Sequence, residues 1–366
     1  MVVSVVDTEH HRFLLRNDNI VGCEHRDPEV RAQIAFSGMA LMATIAFLLP
    51  TPHRVLCLGL GAGTVPSYLR TSANMWVDVV EIDEAVIRQA DDFFLIGTSR
   101  IKGTIFHDDA MRMIAAGPSD SAAGRYDVVL SDLWSGGNEG AGLTLSFFIQ
   151  VRDSWLREGG VLAVSLVAFI DGPHVQLAID VVRTLREAFD HVTAFVEEDP
   201  TGDASVHFNE PLNVLLLASQ RPLRHTPPAF DEPLEPGSMD ELFSKFVSWR
   251  PPRLQAAANA QEGTILAGPD EWAKLGAEAA AAGRGMREQQ EALLPARGWS
   301  AVRALLEEAG ETPPRRIGIA PSSTMGPGRQ GIEGSAENGE PDEAARPRGA
   351  GARRRNHLAV PDRDEL

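Results

Sequence analysis

The sequence predicts a doubly wound α/β fold with a mostly parallel sheet, and three observations predict it. Short apolar runs alternate with amphipathic helical segments along residues 54–222. One such run, Val55 to Leu58, leads straight into closely spaced glycines that open a helix. Acidic residues then recur at or just past the ends of the next three runs, at Glu81, Asp108 and Asp132. Strand–helix repetition of this kind gives a parallel sheet covered by helices on both faces.

The expected strands of the sheet are Arg54 to Leu58, Trp76 to Glu81, Gly103 to Phe106, Tyr126 to Ser131 and Gly160 to Leu166, closed by His191 to Val196 and Asn213 to Ala218. Helices are expected up to Arg70, over Glu84 to Leu95, Ala110 to Ala115, Thr144 to Leu156 and Val175 to Phe189. In the last of these Ala178, Val181, Val182, Leu185 and Phe189 form one stripe, as a core-facing helix requires. Ahead of the sheet, Val2 to Val6, His11 to Leu15 and Ile20 to Gly22 read as a β-hairpin lead-in. A helical pattern from Glu29 to Leu49 follows, stopped by Pro50 and Pro52.

The organisation is therefore residues 1–53 as hairpin and helix and 54–222 as the cofactor-binding domain. Residues 223–310 form a helical extension, with helices expected at Asp240 to Phe246 and Ala301 to Ala309. Residues 311–366 are rich in Gly, Pro, Glu and Arg and bury too little apolar surface to offset chain entropy, so disorder is expected there.

Bulk properties narrow the function. The chain has 366 residues, 43% of them hydrophobic, and a net charge of −17. Such a charge disfavours nonspecific binding to nucleic acid or anionic membrane, both polyanions; it suits a basic substrate. Cys23 and Cys57 make neither a metal-ligand cluster nor a disulfide framework, so no metal is expected, and Cys57 reads as a small buried hydrophobe. The N-terminus has no signal-like apolar core, and the run Met39 to Leu49 is too short to span a bilayer. A cytoplasmic location is expected. The terminal Arg363-Asp364-Glu365-Leu366 resembles an ER-retention tetrapeptide, which without a signal peptide would go unread.

The chemistry collects in four places. Gly59-Leu60-Gly61-Ala62-Gly63 joins a strand to a helix, where glycines permit a tight turn and the helix offers free N–H groups. Glu81-Ile82-Asp83 lies about 20 residues on, where an acid can accept from ribose hydroxyls. Glu81 is expected on the ribose and Asp83 as a helix cap or secondary contact. Asp108-Asp109-Ala110 can reach the exocyclic amine of adenine or cap a helix. Asp132 precedes a glycine-rich loop and can face a substrate. A nicotinamide-binding loop is normally Gly-x-Gly-x-x-Gly; this one is Gly-x-Gly-x-Gly, with no hydride-transfer constellation after it.

These residues, with Tyr126-Asp127-Val128-Val129-Leu130-Ser131-Asp132 and Leu156-Arg157-Glu158-Gly159-Gly160-Val161-Leu162, resemble the spermidine-synthase-like branch of the class I S-adenosylmethionine-dependent methyltransferase superfamily over about the first 220 residues. The resemblance implies a Rossmann-like methyltransferase fold with a seven-stranded sheet. It implies S-adenosylmethionine, or its decarboxylated form, held by Gly59, Leu60, Gly61, Ala62, Gly63, Glu81, Ile82, Asp109 and Ala110, with Asp132 as the catalytic residue. True aminopropyltransferases resemble one another in a glycine-loop Asp that falls on Ala62 here, in a second Asp that falls on Ser135, and in a Tyr-Gln pair not seen in Gln33 to Met42. A related branch comprises eukaryotic methyltransferases, one acting on a translation elongation factor lysine. Methyl transfer to an amine, polyamine or protein lysine is thus the first expectation, aminopropyl transfer the second, and a catalytically degenerate scaffold the third. A homodimer is compatible with the pattern.

Overall fold

The computed structural model describes most of residues 2–118, 125–133, 142–196, 211–225, 252–267 and 315–321. Residues 1–325 form one compact unit, and residues 326–366 make a second that lies outside the described residues. The helices expected at 240–246 and 301–309, and Ser135, also lie outside them.

Among the described residues, the core is a seven-stranded sheet built from β5 (Arg54–Leu58), β6 (Trp76–Glu81), β7 (Ile105–His107), β8 (Tyr126–Ser131), β9 (Leu156–Ala168), β10 (His191–Val196) and β11 (Leu212–Ser219). Their spatial order is β10-β11-β9-β8-β5-β6-β7. Strands β5 to β9 pair in parallel, whereas β11 runs antiparallel to both its neighbours. Strands such as β5 and β11 read as nearly continuous apolar runs because both their faces are covered.

Two buried clusters flank the sheet. One joins Leu56, Val129 and Leu162 to α4 (Ala110–Ala116), α5 (Leu145–Gln150) and α6 (Gln176–Ala188). The other joins Val55, Leu130 and Ala163 to α1 (Ser37–Ala43), α2 (Thr64–Thr71) and α3 (Glu84–Phe93). The alternation of partners along each strand is the period of two expected of a strand covered on both faces. The helix α7 (Pro252–Ala260) and the chain after it clip onto α6: Asp180 accepts from Thr264 N–H at 2.6 Å and Thr184 Oγ1 from Leu266 N–H at 2.9 Å. No helix among the described residues is long and apolar enough to cross a membrane.

The lead-in is an antiparallel sheet of order β13-β1-β2-β3, from β1 (Val2–Asp7), β2 (His11–Arg16), β3 (Asn19–His25) and β13 (Arg315–Pro321). Strand β13 departs from the disorder expected of 311–366. Its segment Arg315-Arg316-Ile317-Gly318-Ile319-Ala320-Pro321 pairs with β1, and these backbone hydrogen bonds supply what composition does not advertise. Arg12 and Arg31 fasten this layer to the core by donating to the Phe93 carbonyl at the end of α3. The helix expected up to Leu49 also ends early. After α1 comes a 3₁₀ turn, Thr44–Phe47, and then Leu48–Leu49 forms β4, paired with β12 (Arg224–His225).

Within the sheet, the Asp78 carboxylate on β6 is 4% exposed. It accepts from Thr104 N–H at 2.8 Å, Tyr126 Oη at 3.0 Å, Trp76 Nε1 at 3.2 Å and Arg54 Nη2 at 3.4 Å.

Candidate active site

The sheet order brings the four motifs together. The chain runs outward through β5, β6 and β7, then crosses to β8 on the other side of β5. The ends of β5 and β8 therefore flank the point where strand order reverses, which is where open α/β sheets bind ligands. Here the Asp132 N–H donates to the Leu58 carbonyl at 2.9 Å and the Gly59 N–H to the Val80 carbonyl at 2.8 Å. On the outer side, the Asp108 N–H donates to the Glu81 carbonyl at 3.1 Å. Loop, Glu81, Asp108-Asp109 and Asp132 thus line the carboxyl ends of four adjacent strands.

The glycines of the loop all have positive φ: +100° at Gly59, +54° at Gly61 and +74° at Gly63. A side chain on Gly59 would meet the Asp132 carbonyl oxygen at 2.5 Å, and one on Gly61 the Val21 carbonyl oxygen at 2.4 Å. The chain itself makes these close approaches, so the glycines first serve to seat the loop between β8 and the hairpin strand β3. Thr64 at the start of α2 completes the seat, donating to the Cys23 carbonyl at 2.6 Å. Gly61→Ala is accordingly expected to destabilise the chain by about 1–3 kcal/mol, through strain and displacement of β3; a denaturant melt within error of the parent would contradict this seat.

Ala62 is buried against the hairpin, and a Cβ on Gly22 would lie 2.5 Å from its own. Ala62 thus faces a packed β-strand. Leu60 is also buried, and its N–H donates to Glu81 Oε2 at 3.0 Å. The second Glu81 oxygen accepts from Asp83 N–H at 2.9 Å. Burial pushes the Glu81 pKa up, and these two backbone donors hold it back in part. Each oxygen has further lone-pair capacity for a hydroxyl. Ile82 beside it is half-exposed.

Asp83 caps α3, accepting from Ala85 N–H at 3.0 Å, and lies 4.0 Å from Arg16 of the hairpin. Asp109 caps α4, accepting from Met111 N–H at 2.8 Å, with Ala110 buried behind it. Capping and ligand contact are compatible at Asp109, because its side chain is half-exposed. Asp108 pairs with Arg112 one turn on.

Asp132 is partly buried and lines a cavity of about 30 Å3 together with Met39, Met42, Leu60 and Leu130. Burial pushes its pKa up, opposed by a hydrogen bond from Ser165 on β9. No sequence motif singles out Ser165, Met39 or Met42. The only hint of Ser165 is a hydroxyl in an otherwise apolar strand, Val161 to Ala168. The cysteines are both buried and unbridged, and burial pushes the Cys57 thiol up to about 12. Among the described residues no group of three or more His, Cys, Asp or Glu is placed to hold a metal.

Known proteins share parts of this architecture. No protein-family model matches the chain. A polyamine aminopropyltransferase of Vibrio vulnificus is 29% identical over 153 residues, 41% of this chain and 49% of that protein. An N-terminal histidine N-methyltransferase of Emericella nidulans is 28% identical over 142 residues, 39% of this chain and 24% of that protein. The chain thus spans about half the length of the first relative and a quarter of the second. A solved structure of a probable spermidine synthase from Corynebacterium glutamicum superposes with a TM-score of 0.51 at 18% identity, covering 72% of this chain and 93% of that one. The fold is a Rossmann-like methyltransferase fold, shared with that probable spermidine synthase. Both of these relatives are, by name, transferases.

Proposed function

We propose that this chain is an S-adenosylmethionine-dependent methyltransferase acting on an amine or a protein side chain such as lysine. The observation that carries the reading is the juxtaposition at the switch point. The glycine loop and the backbone of Asp132 are held against the same strand end, so a donor on the loop and an acceptor at Asp132 would meet.

The residues present fit an adenosyl group. The Glu81 carboxylate has acceptor capacity left for two ribose hydroxyls, and half-exposed Asp109 has the same for an exocyclic amine. Gly59, Leu60, Gly61, Ala62 and Gly63 shape the loop, while half-exposed Ile82 offers apolar contact to the base and buried Ala110 backs Asp109. The donor, when bound, supplies a methyl group activated by a positively charged sulfur. Asp132 orients the acceptor amine and takes its proton as the nitrogen lone pair is engaged. Its raised pKa brings it nearer the working pH of a general base than an exposed Asp would be.

Ala62 favours methyl over aminopropyl transfer, because the loop presents a buried methyl where a carboxylate would hold the donor's amine end. Aminopropyl transfer from the decarboxylated donor to a polyamine is the second reading, favoured by the Vibrio vulnificus relative. Calorimetric titration of the chain with both donors tests the choice. Tighter binding of S-adenosylmethionine supports methyl transfer, tighter binding of the decarboxylated form supports the second reading, and binding of neither would leave a scaffold. Glu81→Gln is expected to weaken whichever donor binds by roughly 10–100-fold, the worth of hydrogen bonds to a charged acceptor; unchanged affinity would remove Glu81 from the ribose.

A further inference from the structure

We propose that Glu24 is the positioning residue for the glycine loop: its carboxylate, acting through Leu95 and Ile96, holds Gly63 and the start of α2 in place for the donor. The inference rests on the reading of that loop as the donor site.

Strand β3 meets the loop residue by residue. Val21 presents its carbonyl oxygen to Gly61, Gly22 packs on Ala62, and the Cys23 carbonyl accepts from Thr64 Oγ1 at 2.6 Å. Glu24 comes next, and it reaches the loop from behind. Its Oε2 accepts from the Leu95 N–H at 2.8 Å. Leu95 opens the 3₁₀ turn Leu95–Gly97, and the fully buried Ile96 at the centre of that turn lies against Gly63. A side chain on Gly63 would meet Ile96 Cβ at 2.6 Å. Gly63 is in turn the N-cap residue of α2, at φ +74°. The seat of the turn therefore sets how far the loop can settle and where the free N–H groups of α2 stand.

The carboxylate is held from both sides. Glu24 is 3% exposed, and a buried charge is costly unless it is paired. Its Oε1 accepts from Arg31 Nε at 2.8 Å and lies 2.6 Å from Arg31 Nη2. Arg31 Nη2 also donates to the Phe93 carbonyl at 2.8 Å, and Arg12, opposite Glu24 on β2, donates to the same carbonyl at 2.5 Å. Two cations thus grip the carbonyl end of α3, where positive charge is favoured. The acid beside them takes the N–H two residues further on. An apolar side chain at position 24 would take this acceptor away from Leu95 and leave Arg31 without its carboxylate.

The test follows hydrogen exchange and donor affinity in the full chain. The Gly63 amide, which donates to the Leu60 carbonyl at 2.9 Å, reports on the loop with no donor present. Glu24→Ala is expected to speed exchange at Leu95 and also at Gly63. It should weaken binding of S-adenosylmethionine, or of the decarboxylated form if that is what the parent binds, by about tenfold, the worth of one hydrogen bond to a charged group. Glu24→Gln keeps an oxygen for one of the two partners; it should fall between, and it serves if the alanine variant does not fold. Asp78→Asn weakens the fold through a network that touches none of these residues, so its donor affinity should stay at the parent value. Faster exchange at Leu95 with unchanged exchange at Gly63 would overturn the proposal, as would a donor affinity that Glu24→Ala leaves in place or that Asp78→Asn lowers equally. A parent chain that binds neither donor would defeat the reading of the site instead, and Gly63 exchange would still judge whether Glu24 holds the loop.

Discussion

Asp132→Asn is expected to lower turnover by about 10²–10⁴-fold, the usual range for loss of a general base, while donor affinity stays within a few-fold. Asparagine keeps the shape and can still accept from Ser165, but it cannot take a proton. The same substitution is expected to stabilise the ligand-free chain near neutral pH. Burial raises the Asp132 pKa above its unfolded value. The folded state then holds its proton more tightly than the unfolded state. Between the unfolded and folded pKa values stability therefore falls as pH rises. Asparagine has no charge to bury and escapes that loss. Thermal melts of both proteins from pH 4 upward check this, with the parent declining relative to the variant. A variant that keeps turnover would remove Asp132 from the chemistry, and one that melts lower at every pH would make its role structural.

Asp78→Ala is expected to cost about 3–5 kcal/mol, as removal of one partner from a buried charged network does, and to lower the melting temperature by roughly 10 °C. The carboxylate is shared by Tyr126, Thr104, Trp76 and Arg54, so its loss strips several donors at once. Tyr126 is itself buried, and the Arg54 guanidinium lies 5.2 Å above its ring. Asp78→Asn should cost less, since it still accepts. Chemical denaturation of the pair measures the difference, and equal midpoints for Ala and parent would show that water satisfies these donors.

The sequence made the strands around the site legible, because parallel strands covered on both faces need unbroken apolar runs and end where glycines or acids begin. Val55 to Leu58 followed by Gly59 is such a boundary, as is Val128 to Ser131 followed by Asp132. The fold class followed from those boundaries, and the resemblance to the spermidine-synthase-like branch from the glycine-loop and acidic motifs that sit beside them. Ser165 was hidden because a hydroxyl in an apolar strand has no signature until its neighbour across the ladder is known. Strand β13 was hidden for a related reason: composition measures what a segment can bury by itself, whereas an added edge strand is held by hydrogen bonds to a sheet that already exists. The seating of the glycine loop under Val21 and Gly22 depends on contacts across some forty positions of chain, which periodicity does not report.

The pairing of β1 with β13 also sets an order of events in synthesis. Val2 meets Pro321 and Asp7 meets Arg315, so one edge of β1 has no partner until residues 315–321 have also left the ribosome. At roughly 5–20 residues per second that wait is about 15–60 s. During it β1 offers a row of unmet N–H and C=O groups, the kind of edge that recruits stray strands. Nascent chains halted before residue 315 should therefore associate, or engage chaperones, more than chains halted after residue 321.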